Sequence, residues 1–262
     1  MKSVDEVVLY KGKSLFSWLD INPVELCNRT CEFCPRGINY LNQDFHISQR
    51  VIEKLGLDLE EINFEGTINI CGNGEPLLCD NLLLLVSRLK DFNLELVTNG
   101  DLLTEKSIYD LFDNDLNFIN VSLYDGEHQV DKFNELFLKC GILKSKYFLR
   151  EYWKGPKNLA NRAGFIKNNK NNLNKPCYYM HYSIQLDWNG DVLFCIQDIY
   201  GKTRTFGNVK DKSLLDIWNS DEINKYRELL GDGKRTESPC NNCDALGIIH
   251  GYNHYLEWNK NK

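Results

Sequence analysis

The chain is constrained most by Cys27-Asn28-Arg29-Thr30-Cys31-Glu32-Phe33-Cys34, a CxxxCxxC pattern that follows a short apolar run. Three closely spaced thiolates can hold three irons of a four-iron, four-sulfur (4Fe–4S) cluster and leave the fourth iron without a protein ligand. Clusters used only for electron transfer normally carry four cysteines, so three point to an iron left open for a small molecule. The same residues also suit a zinc site, provided that Cys71, Cys79 or a more distant cysteine closes the tetrahedron.

Ten cysteines in 262 residues could suggest disulfides. The N-terminus has no cleavable signal pattern, and the cysteines group as CxxxCxxC and CxxC, so metal binding in a reducing cytoplasm is the better reading. No apolar stretch reaches membrane-span length, which argues against a membrane. A net charge of −6 argues against nucleic acid as partner. Residues 167–175 are rich in Asn and Lys and read as an exposed linker. The expected organisation is an N-terminal segment over 1–14, a first domain over 15–170, and a second domain with a tail over 171–262.

Strand-like segments at 15–21, 67–71, 94–98, 118–123 and 146–151 alternate with helix-like segments at 48–59, 80–92, 104–112 and 127–140. Ser48 and Thr104 are suited to cap the helices they precede. Alternation of this kind predicts a parallel sheet with helices packed outside, either closed as a full or partial barrel or spread open. In each case ligands collect at the C-terminal ends of the strands. Three motifs follow strands: Cys71-Gly72-Asn73-Gly74-Glu75-Pro76, Thr98-Asn99-Gly100, and Ser122-Leu123-Tyr124-Asp125-Gly126. Taken singly, each is ordinary turn chemistry in which glycine lets the backbone approach a ligand. Arg150 ends the last strand of the series and should point near the mouth, where a structural ion pair is the alternative to a catalytic role. After the linker, residues 182–188 and 192–196 flank Asn189-Gly190-Asp191, a hairpin signal. Residues 213–219 and 221–230 read as short helices. Cys177, Cys195, Cys240 and Cys243 form a second group that suits zinc or a fully ligated cluster equally by count.

Together these motifs resemble the radical S-adenosylmethionine (SAM) family. The resemblance implies an α/β fold: a partial (β/α)6 barrel over roughly residues 15–165 with a small α+β iron–sulfur domain after it. It implies that Cys27, Cys31 and Cys34 hold a cluster whose open iron is chelated by SAM, and that SAM cleavage yields a 5′-deoxyadenosyl radical. Gly72, Asn73, Gly74 and Glu75 match the family's GGEP segment at the methionyl ammonium, with Asn73 as the departure from the commonest pattern. Asn99 and Ser122 would face SAM, Phe33 would contact adenine, and Arg162 would reach back towards SAM. Arg150 would hold the SAM carboxylate or a substrate oxygen, and is the expected catalytic residue. The hairpin, Phe206-Gly207-Asn208-Val209, the helix at 213–219 and the CxxC resemble the Twitch domain, a shortened relative of SPASM. That implies one auxiliary 4Fe–4S cluster on Cys177, Cys195, Cys240 and Cys243, because no cysteine follows Cys243.

The implied reaction is oxidation of a secondary alcohol on a sugar, aminocyclitol or nucleotide-sugar, with the auxiliary cluster as electron acceptor. A peptide-modifying maturase and a radical sugar epimerase are the alternatives; few residues precede the first motif, which disfavours a leader-peptide-binding domain. A flavodoxin-like or ferredoxin-like electron donor is implied. Substrate contacts are expected from the loop at 37–45 and from the tail at 247–262, which could cap the barrel mouth. Within that tail, surface packing is expected of His250 and His254. Cys71, Cys79 and Cys140 read as buried small hydrophobes without chemistry.

Overall fold

The computed structural model describes residues 4–32, 34–155, 160–166 and 174–260. Phe33 and most of the expected linker lie outside the described residues.

An N-terminal hairpin of β1 (Val8–Tyr10) and β2 (Lys13–Leu15) leads into β3 (Trp18–Ile21). Four further strands follow: β4 (Thr67–Ile70), β5 (Asn93–Thr98), β6 (Phe118–Leu123) and β7 (Tyr147–Glu151). They pair in parallel in that order. The connecting helices are α1 (Gln49–Glu61), α2 (Leu82–Arg88), α3 (Glu105–Asp113) and α4 (His128–Lys139). Ser48 caps α1 by accepting from the Val51 amide, and Thr104 caps α3 in a reciprocal box with Ser107, as their side chains predict.

Side chains alternate faces along a strand. On one face of these strands stand Leu19, Ile21, Ile68, Ile70, Leu94, Leu96, Ile119 and Val121, all fully buried in the common core. On the other face stand Asp20, Asn69, Glu95, Asn120 and Ser122. Parallel strands covered on both faces usually read as continuous apolar runs. Here one face is polar, and it is the face that turns to the inside of the barrel.

The sixth parallel strand comes from beyond the linker. After α5 (Tyr179–Tyr182), β8 (Ser183–Leu186) docks on the free edge of β3. Then β9 (Asp191–Leu193) and β10 (Thr205–Asn208) extend the sheet antiparallel, giving the order β10-β9-β8-β3-β4-β5-β6-β7. The expected hairpin is therefore present as β8–β9, and one sheet crosses the expected domain boundary.

The remaining helices are α6 (Leu214–Trp218), α7 (Asp221–Gly231) and α8 (Tyr252–Lys260). Buried Asp58 of α1 accepts from the Leu214 amide at 3.0 Å and so fastens the start of α6 to the barrel. The tail helix α8 packs on α5 and β2, at the end of the sheet where strands begin, rather than across the mouth. His254 is accordingly fully buried, and burial pushes its pKa down to about 4; only His250 is a surface residue, bonded to Asp5 at 2.9 Å. Among the described residues no helix is long and apolar enough to cross a membrane.

Candidate active site and the two cysteine groups

A cleft of about 300 Å3 opens at the C-terminal ends of the parallel strands. Its walls include Cys27, Cys31, Cys34, Gly72, Asn73, Gly74, Glu75, Asn99, Ser122, Arg150 and Arg162. Apart from Phe33, every residue expected to contact SAM or the first cluster thus borders one cavity.

The cysteine loop is fixed from several sides. The Cys34 amide donates to the Cys31 carbonyl at 2.9 Å, and the Asn42 side chain bonds both the amide and the carbonyl of Cys27. Arg29 forms two-pronged ion pairs with Asp101 and Asp125, each with a contact of 2.6 Å, and lies over the Tyr124 ring. Asn28 donates to Asp101 and accepts from Asn99. The loop is therefore strapped to the turns after β5 and β6. Burial pushes the Cys27 thiol up and the Cys31 thiol up to about 11, with the neighbouring sulfurs adding to the effect. As cluster ligands these sulfurs would be deprotonated, and the positive charge of the irons would offset the effect of burial.

The segment after β4 shows why its departure from the commonest pattern is tolerated. Gly72 has φ 152°, and a Cβ there would overlap the Asn22 side chain. A Cβ on Gly74 would overlap the Val24 carbonyl. The Asn73 side chain donates to Glu25 at 3.0 Å, to the Tyr40 hydroxyl at 2.9 Å and to the Ile199 carbonyl at 3.4 Å. Glu25 is fully buried and also meets Lys202, the Tyr40 hydroxyl at 2.8 Å and Arg36 at 3.8 Å. Lys202 reaches Asp187 at 2.7 Å. Glu75 accepts from Thr98 at 2.6 Å, the Asn99 amide at 2.8 Å and the Leu77 amide at 3.1 Å, while burial pushes its pKa up to about 7. Its carboxyl therefore orders the turn after β5 as well as bordering the cleft.

Arg150 stands opposite Ser122 in the register and donates to the Tyr152 hydroxyl at 3.3 Å; it has no ion pair among the described residues. Arg162 lies in a turn where it, Ala163 and Gly164 have φ of 52°, 56° and 93°. Buried Asn161 anchors that turn: its amide donates to Asp244 at 2.6 Å, and its side chain donates to the Asn242 carbonyl at 2.8 Å. A Cβ on Gly164 would overlap Asn242.

Asn242 and Asp244 flank Cys243 of the second group. Cys177, Cys195, Cys240 and Cys243 all line one cavity, together with Arg235. Burial pushes all four thiols up, with the charge of the other cysteines adding at Cys177, Cys195 and Cys240 and that of Asp244 at Cys243, while buried Arg235 opposes the shift at Cys177, Cys240 and Cys243. A Cβ on Gly247 would overlap the Cys177 sulfur, so this wall is shaped around the thiol. Four soft sulfur donors lining one cavity are the donor set of an iron–sulfur cluster.

Several lining residues were not singled out from sequence, Asp20, Asn69, Tyr152, Ile199 and Tyr200, and Cys71, expected to have no chemistry, lines the cleft too. The first two carried a readable signal, a polar side chain at alternate positions of otherwise apolar strands. Cys71 is more than a buried hydrophobe, because its thiol donates to Asp20 at 3.3 Å and accepts from Asn69 at 3.2 Å. The loop at 37–45 does not border the cleft. Its Tyr40 and Asn42 brace the cysteine loop from behind, and Phe45 stacks on Trp188.

Residues 21–154 match the radical SAM superfamily, and residues 177–244 match SPASM, an iron–sulfur cluster-binding domain. The chain belongs to the radical SAM superfamily: it is an enzyme that uses SAM at a 4Fe–4S cluster, with an auxiliary iron–sulfur cluster in its C-terminal domain. It is 28% identical over 242 residues to the S-adenosyl-L-methionine-dependent 2-deoxy-scyllo-inosamine dehydrogenase of Niallia circulans, covering 89% of this chain and 95% of that protein. The crystal structure of BtrN in complex with AdoMet and 2-DOIA superposes with a TM-score of 0.79 at 26% identity, covering 92% of this chain and 98% of that one. Streptococcus suis SuiB bound to precursor peptide SuiA shares the fold, with a TM-score of 0.53 at 16% identity over 90% of this chain and 71% of that one.

Removing the buried carboxylate of Glu25 takes away the nearest counter-charge of buried Arg36 and leaves Lys202 with Asp187 alone. Glu25→Ala is expected to cost on the order of 3 kcal/mol, as for one partner of a buried ion pair. Urea unfolding of the apoprotein followed by circular dichroism measures it, with Glu25→Gln expected to fall between the variant and wild type.

Proposed function

We propose that this enzyme is a radical SAM dehydrogenase that oxidises a secondary alcohol of an aminocyclitol or closely similar amino-polyol. In this reading residues 15–170 form the SAM-binding unit and 171–262 the auxiliary unit. Cys27, Cys31 and Cys34 hold the first cluster, and Cys177, Cys195, Cys240 and Cys243 hold the second. Gly72, Asn73, Gly74, Glu75, Asn99, Ser122 and Arg162 contact SAM, with Phe33 against the adenine. When bound, these groups supply a 5′-deoxyadenosyl radical to take a hydrogen atom and a nearby acceptor for one electron.

The chain's own residues hold and orient the substrate. Oxidation removes a hydrogen atom from the carbinol carbon, a proton from its oxygen and one further electron, leaving a ketone. Arg150 is assigned to the reacting oxygen. A guanidinium stays protonated, so it donates to that oxygen and stabilises negative charge there while the proton leaves to solvent.

The polar inner face of the barrel is the observation that carries this reading. Gln185, Asp20, Asn69 and Glu95 are direct neighbours in register on four adjacent strands. A buried polar row suits a small ligand rich in hydroxyls. Asp20 is buried, and its Oδ1 accepts from Trp18 at 2.9 Å, Asn69 at 2.7 Å and Cys71 at 3.3 Å, yet it has no cationic partner among the described residues. Burial pushes its pKa up. A substrate ammonium would supply the missing counter-charge. A flavodoxin-like or ferredoxin-like protein in a reducing cytoplasm is the proposed electron source.

Anaerobic turnover of 2-deoxy-scyllo-inosamine deuterated at its ring carbons tests the reaction. Deuterium in 5′-deoxyadenosine is expected, together with a product lighter than the labelled substrate by one deuterium and one hydrogen. Transfer giving a product that differs from the labelled substrate only by solvent hydrogen in place of one deuterium would instead mean epimerisation. Asp20→Asn is expected to raise KM for the amine at least tenfold, about 1.4 kcal/mol, while altering KM for the hydroxyl analogue little. Equal effects on both compounds would remove Asp20 from amine recognition.

A further inference from the structure

Tyr200 belongs to the stretch that follows Cys195, yet its hydroxyl lies 3.2 Å from the Cys34 sulfur in the other cysteine group. The contact is not incidental to a loose loop. Ile199 accepts from Asn73, and Lys202 is paired with Glu25 and Asp187, so the residues on both sides of Tyr200 are fixed to the barrel. The ring itself is held edge-on against Tyr40 at 5.1 Å and tilted against Phe165 at 6.3 Å.

Either atom could donate while Cys34 carries its proton. As an iron ligand Cys34 is a thiolate, and the phenol is then the only donor. Hydrogen bonds to cluster sulfurs stabilise the more negative, reduced state and raise the reduction potential.

We infer that Tyr200 donates a hydrogen bond to the Cys34 thiolate and raises the reduction potential of the SAM-binding cluster, so that the auxiliary-cluster domain sets the potential at which SAM is cleaved. Tyr200 acts through Cys34 and is a positioning residue, not a catalytic one. The inference rests on Cys34 being a cluster ligand.

The test is a redox titration of the reconstituted full-length enzyme, read by the electron paramagnetic resonance signal that changes when SAM is added. Tyr200→Phe is expected to move that midpoint to a more negative value at unchanged iron content. Phe165→Leu disturbs the ring packing but keeps the phenol, and is expected to leave the midpoint in place. If Tyr200→Phe loses iron, 3-fluorotyrosine at position 200 decides the matter: its more acidic phenol donates more strongly and should move the midpoint upwards. An unmoved midpoint in the iron-replete Phe variant, or no upward shift with fluorotyrosine, overturns the inference. Iron analysis of Cys34→Ala separates the two levels. Full iron retention would overturn both the ligand assignment and the inference, whereas lost iron with an unmoved Tyr200→Phe midpoint overturns the inference alone.

Discussion

Glu25 has no contact with solvent, and several segments beside the cleft converge on it. Its carboxylate gathers Tyr40 and Arg36 from just after the cysteine loop, Asn73 from the turn after β4, and Lys202 from beyond Cys195. A buried charge is tolerated only when paired and hydrogen-bonded, so each of these segments is held in one place by the same requirement. The cysteine loop cannot shift without disturbing the turn that borders the SAM cleft. Neither can the segment after Cys195 move away without exposing Lys202 and Glu25 to each other's absence.

This coupling ties the segments that carry the two cysteine groups to one another. The turn from Asn161 to Gly164 presents Arg162 to the cleft while Asn161 is bonded to Asn242 and Asp244 beside Cys243. The strand β8 completes the parallel sheet on the edge of β3, so the second unit shares the first unit's backbone hydrogen bonds.

Much of this was legible in the sequence because the determining forces are local. The N-caps at Ser48 and Thr104, the β6 limits and the hairpin around Asn189-Gly190-Asp191 follow from side chains acting on nearby backbone. The cysteine groups were legible because metal ligation demands a fixed residue type at fixed spacing. What escaped depends on contacts between segments far apart in the chain. Nothing near Tyr200 in sequence indicates Cys34, and nothing in the spacing of His250 and His254 says that one faces solvent and the other the core. The docking of β8 on β3 is likewise a long-range pairing that periodicity does not encode. Asp20 and Asn69 lie between these cases: their alternation with apolar neighbours was present, and it marks a strand whose second face is neither solvent nor core.

The central claim is that one fold holds two separate 4Fe–4S clusters, one on each cysteine group. Iron and acid-labile sulfide after anaerobic reconstitution test it most directly, in wild type and in two variants that replace either Cys27, Cys31 and Cys34 or Cys177, Cys195, Cys240 and Cys243 with alanine. The account predicts about eight irons in wild type and about four in each variant, with SAM cleavage lost in the first. About four irons in wild type, with zinc on the second group, would contradict it.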